Sequence, residues 1–234
     1  MGEAILWGAV AAAPLIVGAV LATLRPWPPK WLGIVLGFGA GALMASIAFE
    51  LWEEGLDLAG PLPLAIGVAV GAACYYLANR IVEKRATASA GSQGAPLAVG
   101  ALLDGIPEQL VLGIGLASGE GVSVALVIAI LVSNLPESIG SASDLLDGGM
   151  KRSRVLGLWA GVAIVCMLAT VAGFALADAV TTEFRAAASG FAAGALLVML
   201  VDSMVPDAQS KAKDLTGLAT VLGFAVAAGL SLAN

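Results

Sequence analysis

Two short stretches set proline beside glutamate in apolar surroundings: Asp104-Gly105-Ile106-Pro107-Glu108 and Ser133-Asn134-Leu135-Pro136-Glu137. If both lie on helices, Asp104 and Glu108 share a face at four residues' spacing, and so do Ser133 and Glu137. Faces that met would supply three carboxylates and a hydroxyl. Proline adds to this chemistry by removing the hydrogen bond to the carbonyl four residues earlier, which frees Leu103 O in one helix and Val132 O in the other. Carboxylates and freed carbonyls lining a cavity suit hard or intermediate divalent cations. The chain contains no histidine, so the imidazole ligands that zinc commonly takes are missing. No nucleophile–base pair or phosphate-binding loop is recognisable either, and no enzyme is expected.

The elements that must position these groups follow from the solvent. Of 234 residues, 59% are apolar and 12% charged, with a mean hydropathy of +0.97, far outside the range of a water-soluble domain. The apolar residues fall in blocks of roughly 20, the length that crosses ~30 Å of hydrocarbon. The predicted spans are 4–24, 31–52, 61–80, 96–117, 121–143, 154–178, 186–205 and 214–232, in one transmembrane domain with a linker over about 81–95. In lipid such segments must be helices, because backbone polar groups can pair only within their own segment. Counted along the axis, Glu108 lies ~18 Å and Glu137 ~24 Å into its span. A charged carboxylate at that depth costs at least ~2.5 kcal/mol, which marks it as functional. The first span lacks a basic leader and a cleavage signature and reads as retained. Cys74 and Cys166 lie within spans, as small packing residues would. No basic nucleic-acid patch stands out.

With eight spans, alternate connections share a side. Arg25 and Lys30, then Arg80, Lys84 and Arg85, then Lys151, Arg152 and Arg154, then Lys211 and Lys213 occupy one side, ten of the eleven basic residues. The positive-inside rule places these in the cytoplasm and both termini outside. The expectation is a multi-pass protein of the plasma or inner membrane, with the lipid bilayer as its surroundings. Trp7, Trp27, Trp31 and Trp52 fall near span ends, as interfacial aromatics do, whereas Trp159 lies deeper.

Residues 37–43, GFGAGAL, recur at 190–196 as GFAAGAL, identical at six of seven positions. Each opens a stretch that ends in acids, FELWEE from Phe49 to Glu54 and DSMVPD from Asp202 to Asp207. Spans one to three and six to eight then form an inverted repeat around the central proline-kinked pair, spans four and five, a plan that secondary transporters use. The fold class expected is an all-α polytopic membrane protein of eight transmembrane helices. Glu50 and Asp202, toward the ends of the repeat helices, are candidates for the ion pathway; Glu53, Glu54 and Asp57 read as an outer rim.

These residues resemble the ZIP (ZRT/IRT-like) family of divalent-metal transporters over nearly the whole chain. The resemblance is carried by the eight spans, by the glycine-rich stretches with their acids, and above all by the paired signature of spans four and five. In the family that signature reads HNxPEG followed by HxxPEG or QNxPEG; here it reads DGIPEQ and SNLPES. The match implies that Asp104, Glu108, Ser133 and Glu137 occupy the principal metal-ligand positions, with Asn134 at a second-metal position. Asp104 stands for histidine, Gly105 for asparagine, and Gln109 and Ser138 for the closing glycines, and span six offers no acid. These departures favour a single ion. The expected function is alternating-access transport of a divalent cation (Zn, Fe, Mn, Cd or Co) as cargo, with no cofactor. A proton-linked or channel-like protein, or a metal-binding scaffold without transport, is the alternative on the same fold. Small-residue faces leave packing within one monomer and in a homodimer both open.

Overall fold

The computed structural model describes residues 1–88, 94–117, 124–177, 179 and 181–232, and every regular element among them is helical. The elements are α1 (Gly2–Leu24), α2 (Pro29–Ser46), the π-helical turn π1 (Ile47–Trp52), α3 (Glu53–Ala59), α4 (Pro61–Ala88), α5 (Gly94–Ala117) and α6 (Val124–Asp147). They continue with α7 (Arg152–Ala177), α8 (Thr182–Met199), a second π-helical turn π2 (Leu200–Met204), α9 (Val205–Ala212) and α10 (Leu215–Ser231). Through their π turns, Pro29–Ala59 and Thr182–Ala212 each run as one long helix. Six helices among the described residues are long and apolar enough to cross a membrane, and two shorter apolar ones, Gly105–Ala117 and Leu215–Ser231, accompany them. Within the described residues each predicted span falls on a helix, and the molecule is an all-α, multi-pass membrane protein. Its surface agrees: Leu62, Ile66, Leu77, Leu218, Val221 and Leu222 are all more than half exposed, as lipid-facing side chains must be.

Local signals set the helix ends. Pro29 opens α2, where its missing N–H costs nothing. At the end of α6, Gly149 adopts φ 87°, its N–H bonds Leu146 O and the N–H of Met150 bonds Leu145 O. That double bond is a Schellman cap, and its left-handed residue favours glycine. The third helix departs from the expected boundary. Residues 81–88 continue α4 instead of entering a linker, because glutamate, lysine, arginine and alanine there favour helix; residues 89–93 lie outside the described part.

The glycine-rich repeat is visible as packing. Gly37 and Gly41 of α2 lie against the backbone of α10, where a Cβ on Gly41 would come within 1.8 Å of Thr220 O. Gly190 and Gly194 of α8 lie against α4 in the same manner, with Val68 O 2.1 Å from a Cβ on Gly194. The return contacts match as well, Gly223 meeting Phe38 O and Gly71 meeting Phe191 O. Such close approach is the use of small residues between membrane helices. The π turns share the register, π1 beginning ten residues after Gly37 and π2 ten after Gly190.

Packing cuts across the repeat. α2 runs along α10 and α4 along α8, while α1 packs on α6 and α7, and α5 on α7. α2 also packs on α6, so the first long helix meets a helix that carries a Pro-Glu stretch. One core holds Leu43, Ile47, Ile130, Leu196 and Leu200; a second holds Leu15, Leu145, Val155, Trp159 and Cys166. Trp159 is a packing residue, 1% exposed. Of the two cysteines, Cys166 is buried and Cys74 is exposed.

Candidate metal site

Pro107 lies inside α5 and Pro136 inside α6, and the two helices touch. Both helices continue through their prolines, so the glutamates stay in the interior of helices about 36 Å long, roughly 20 Å from the N-terminal end and roughly 14 Å from the C-terminal end. Glu108 is 1% exposed, Ser133 2% and Asn134 3%; Glu137 is half-buried. Asp104 belongs to α5, but its side chain lies outside the described residues. Among the described residues no three of His, Cys, Asp and Glu come together, and of the three predicted carboxylates Glu108 and Glu137 are the ones whose burial is described.

The remaining polar groups have distinct roles. Ser133 Oγ donates to Ile130 O at 3.1 Å, which directs its proton into its own helix and leaves its lone pairs available. Asn134 Nδ2 is buried without a hydrogen-bond partner. An unsatisfied buried amide costs ~1–3 kcal/mol, and turned over it would present Oδ1, an oxygen ligand, at the same place. The Val132 carbonyl, freed by Pro136, faces α2: a Cβ on Gly39 would lie 3.2 Å from it and 3.1 Å from Ser133 Cα. Glycine at position 39 lets α2 close directly over this part of α6.

The residues after the two glutamates tie their helices to neighbouring ones, a role the sequence did not disclose. Gln109 is fully buried, and its Oε1 accepts from Thr170 Oγ1 of α7 at 2.5 Å. Ser138 Oγ lies 3.1 Å from Pro14 O of α1 and 3.0 Å from Leu135 O in its own helix. Where the family motif closes with glycine, this chain ties α5 to α7 and α6 to α1. Gly105 is equally specific, since a Cβ there would come within 2.6 Å of Cys166 Sγ. An asparagine in its place would need the Cys166 side chain to move aside.

Neither candidate pathway acid joins the centre. Glu50 sits in π1 and accepts from Ser231 Oγ of α10 at 2.5 Å. Asp202, in π2, is exposed. Asp207 pairs with Lys211 at 2.7 Å, and Lys211 Nζ would lie 3.3 Å from a Cβ on Gly140, one turn beyond Glu137 along α6.

No family model matches the chain. It is 29% identical over 206 residues, 84% of its own length, to a protein of Arabidopsis thaliana named "Putative zinc transporter". The chain spans about a third of that relative's length, 33%. A relative so named, matched over most of this chain, supports the resemblance to the ZIP family that the Pro-Glu helices and glycine-rich stretches carry.

Proposed function

We propose that the protein transports divalent metal cations across a plasma or inner membrane, with both termini outside the cytoplasm. The ion binds between α5 and α6. Glu108 and Glu137 are its charged ligands, Asp104 completes the carboxylate set in place of a histidine, and Ser133 and Asn134 contribute neutral oxygens. The observation that carries this reading is Glu108, 1% exposed in mid-helix beside a proline. A carboxylate so placed is stable when a cation offsets its desolvation. The cargo belongs to the class that accepts oxygen-rich sites, Zn, Fe, Mn, Cd or Co, and exposure to the two sides alternates. The relative's name favours zinc, while the histidine-free ligand set favours harder ions.

The test is direct. Calorimetry on the purified chain should detect a bound divalent ion, and Glu108→Gln or Glu137→Gln should abolish that binding. Unchanged affinity in both variants would exclude the site. Uptake by metal-supplied proteoliposomes, compared across the five ions, should name the cargo; proton flux that persists after metal removal would instead show a proton relay.

A further inference from the structure

Away from the carboxylate centre, a cavity of about 590 Å³ opens between the α1–α2 connection and the α6–α7 connection. Its lining includes Arg25, Lys151 and Arg152, opposed by a single acid, Asp147. Three cations against one carboxylate leave the cavity lining with a net positive charge. Arg25 is held in place: its guanidinium lies 4.3 Å from the centre of the Trp27 ring, and Trp27 Nε1 is fixed by donating to Leu21 O at 3.2 Å. The cavity also receives the N-terminus of α7. Lys151 O accepts from the N–H groups of Arg154 and Val155, while the amides of Arg152 and Ser153 precede the first such bond and are free to bind an anion. Beside this polar floor Leu24, 72% exposed, presents an apolar edge.

We propose that this cavity binds the phosphate of an anionic phospholipid headgroup. Three cations, a helix N-terminus and an indole meet where apolar helices end, and helix ends are where a membrane's phosphates lie. Basic pockets between membrane helices suit such headgroups. Topology alone accounts for basic residues in these connections but not for their convergence on one cavity over a stacked tryptophan. The inference is independent of metal transport.

Native mass spectrometry of the full chain in detergent tests it. Phosphatidylglycerol and phosphatidic acid should be retained in preference to phosphatidylcholine, and Arg25→Gln, Lys151→Gln and Arg152→Gln should each weaken retention about fivefold per charge removed. Arg25→Lys, which keeps the charge, should recover most of it. Lys213→Gln removes the same charge outside the cavity and should leave retention unchanged. Equal retention of phosphatidylcholine, or an equal loss in Lys213→Gln, would overturn the site in favour of diffuse surface charge. Inorganic phosphate supplied alone should bind weakly; displacement of the lipid by millimolar phosphate would overturn the lipid as its source.

Discussion

At the scale of single residues, the neighbours of the two glutamates bind their helices to others. Gln109 and Thr170 share one hydrogen bond at 2.5 Å between fully buried side chains. Thr170→Val would leave Gln109 Oε1 buried without its donor, and the chain should lose ~1–3 kcal/mol of stability. Combining it with Gln109→Leu should cost less than the sum of the single losses, because each removes the same bond. Thermal unfolding of the four proteins in detergent measures this; strictly additive losses would show that the two side chains do not act as a pair. Asp104, Glu108, Ser133, Asn134 and Glu137 announce themselves in the sequence because a polar group in an apolar block is conspicuous. Gln109 and Ser138 are polar as well, yet their purpose depends on partners 61 and 124 positions away. No spacing within α5 or α6 could reveal Thr170 or Pro14.

At the scale of elements, hydropathy located all eight helices because the membrane dictates both length and backbone pairing. It could not show the π turns. A π turn is a change in backbone hydrogen-bond register, and the apolar pattern around Ile47 and Leu200 is compatible with either register. Its recurrence at matching positions in both repeats, carrying Glu50 and Asp202, is what only coordinates supply. The repeated glycines carry the clearest prediction at this scale. Gly41→Leu and Gly194→Leu place a side chain where another helix's backbone already lies, and neither neighbour can yield as a flexible side chain would. Each should cost more than the ~1–3 kcal/mol of ordinary overpacking, seen as loss of a monodisperse species on size exclusion. Gly157→Ala, on α7 with nothing within 4 Å, should be neutral or slightly stabilising. Equal damage from all three would mean that the close helix contacts are not what these glycines serve.

At the scale of the whole molecule, the packing of α5 and α6 on their neighbours sets what an ion bound between them would hold together. α5 packs on α7 and α6 on α1, and α6 also packs on α2, one of the two long helices that carry the π turns. An ion bound by α5 and α6 therefore stabilises the folded chain by mass action, by ~2.7 kcal/mol when its free concentration is a hundred times the dissociation constant. Chelation should remove this gain and lower the melting temperature. Glu108→Gln separates the ion's contribution from that of the fold. Exchanging a buried carboxylate for a neutral amide of the same shape removes a desolvation penalty, so the metal-free variant should melt no lower than the metal-free parent while gaining nothing from added metal. Thr170→Val should behave in the opposite way, starting lower and keeping the metal-dependent rise. Melting curves of the three proteins with and without zinc, manganese and cadmium distinguish these cases. A full metal-dependent rise in Glu108→Gln would place the ion elsewhere in the molecule, whereas its loss there and survival in Thr170→Val assigns the ion to the carboxylates and the hydrogen bond to the scaffold that holds them.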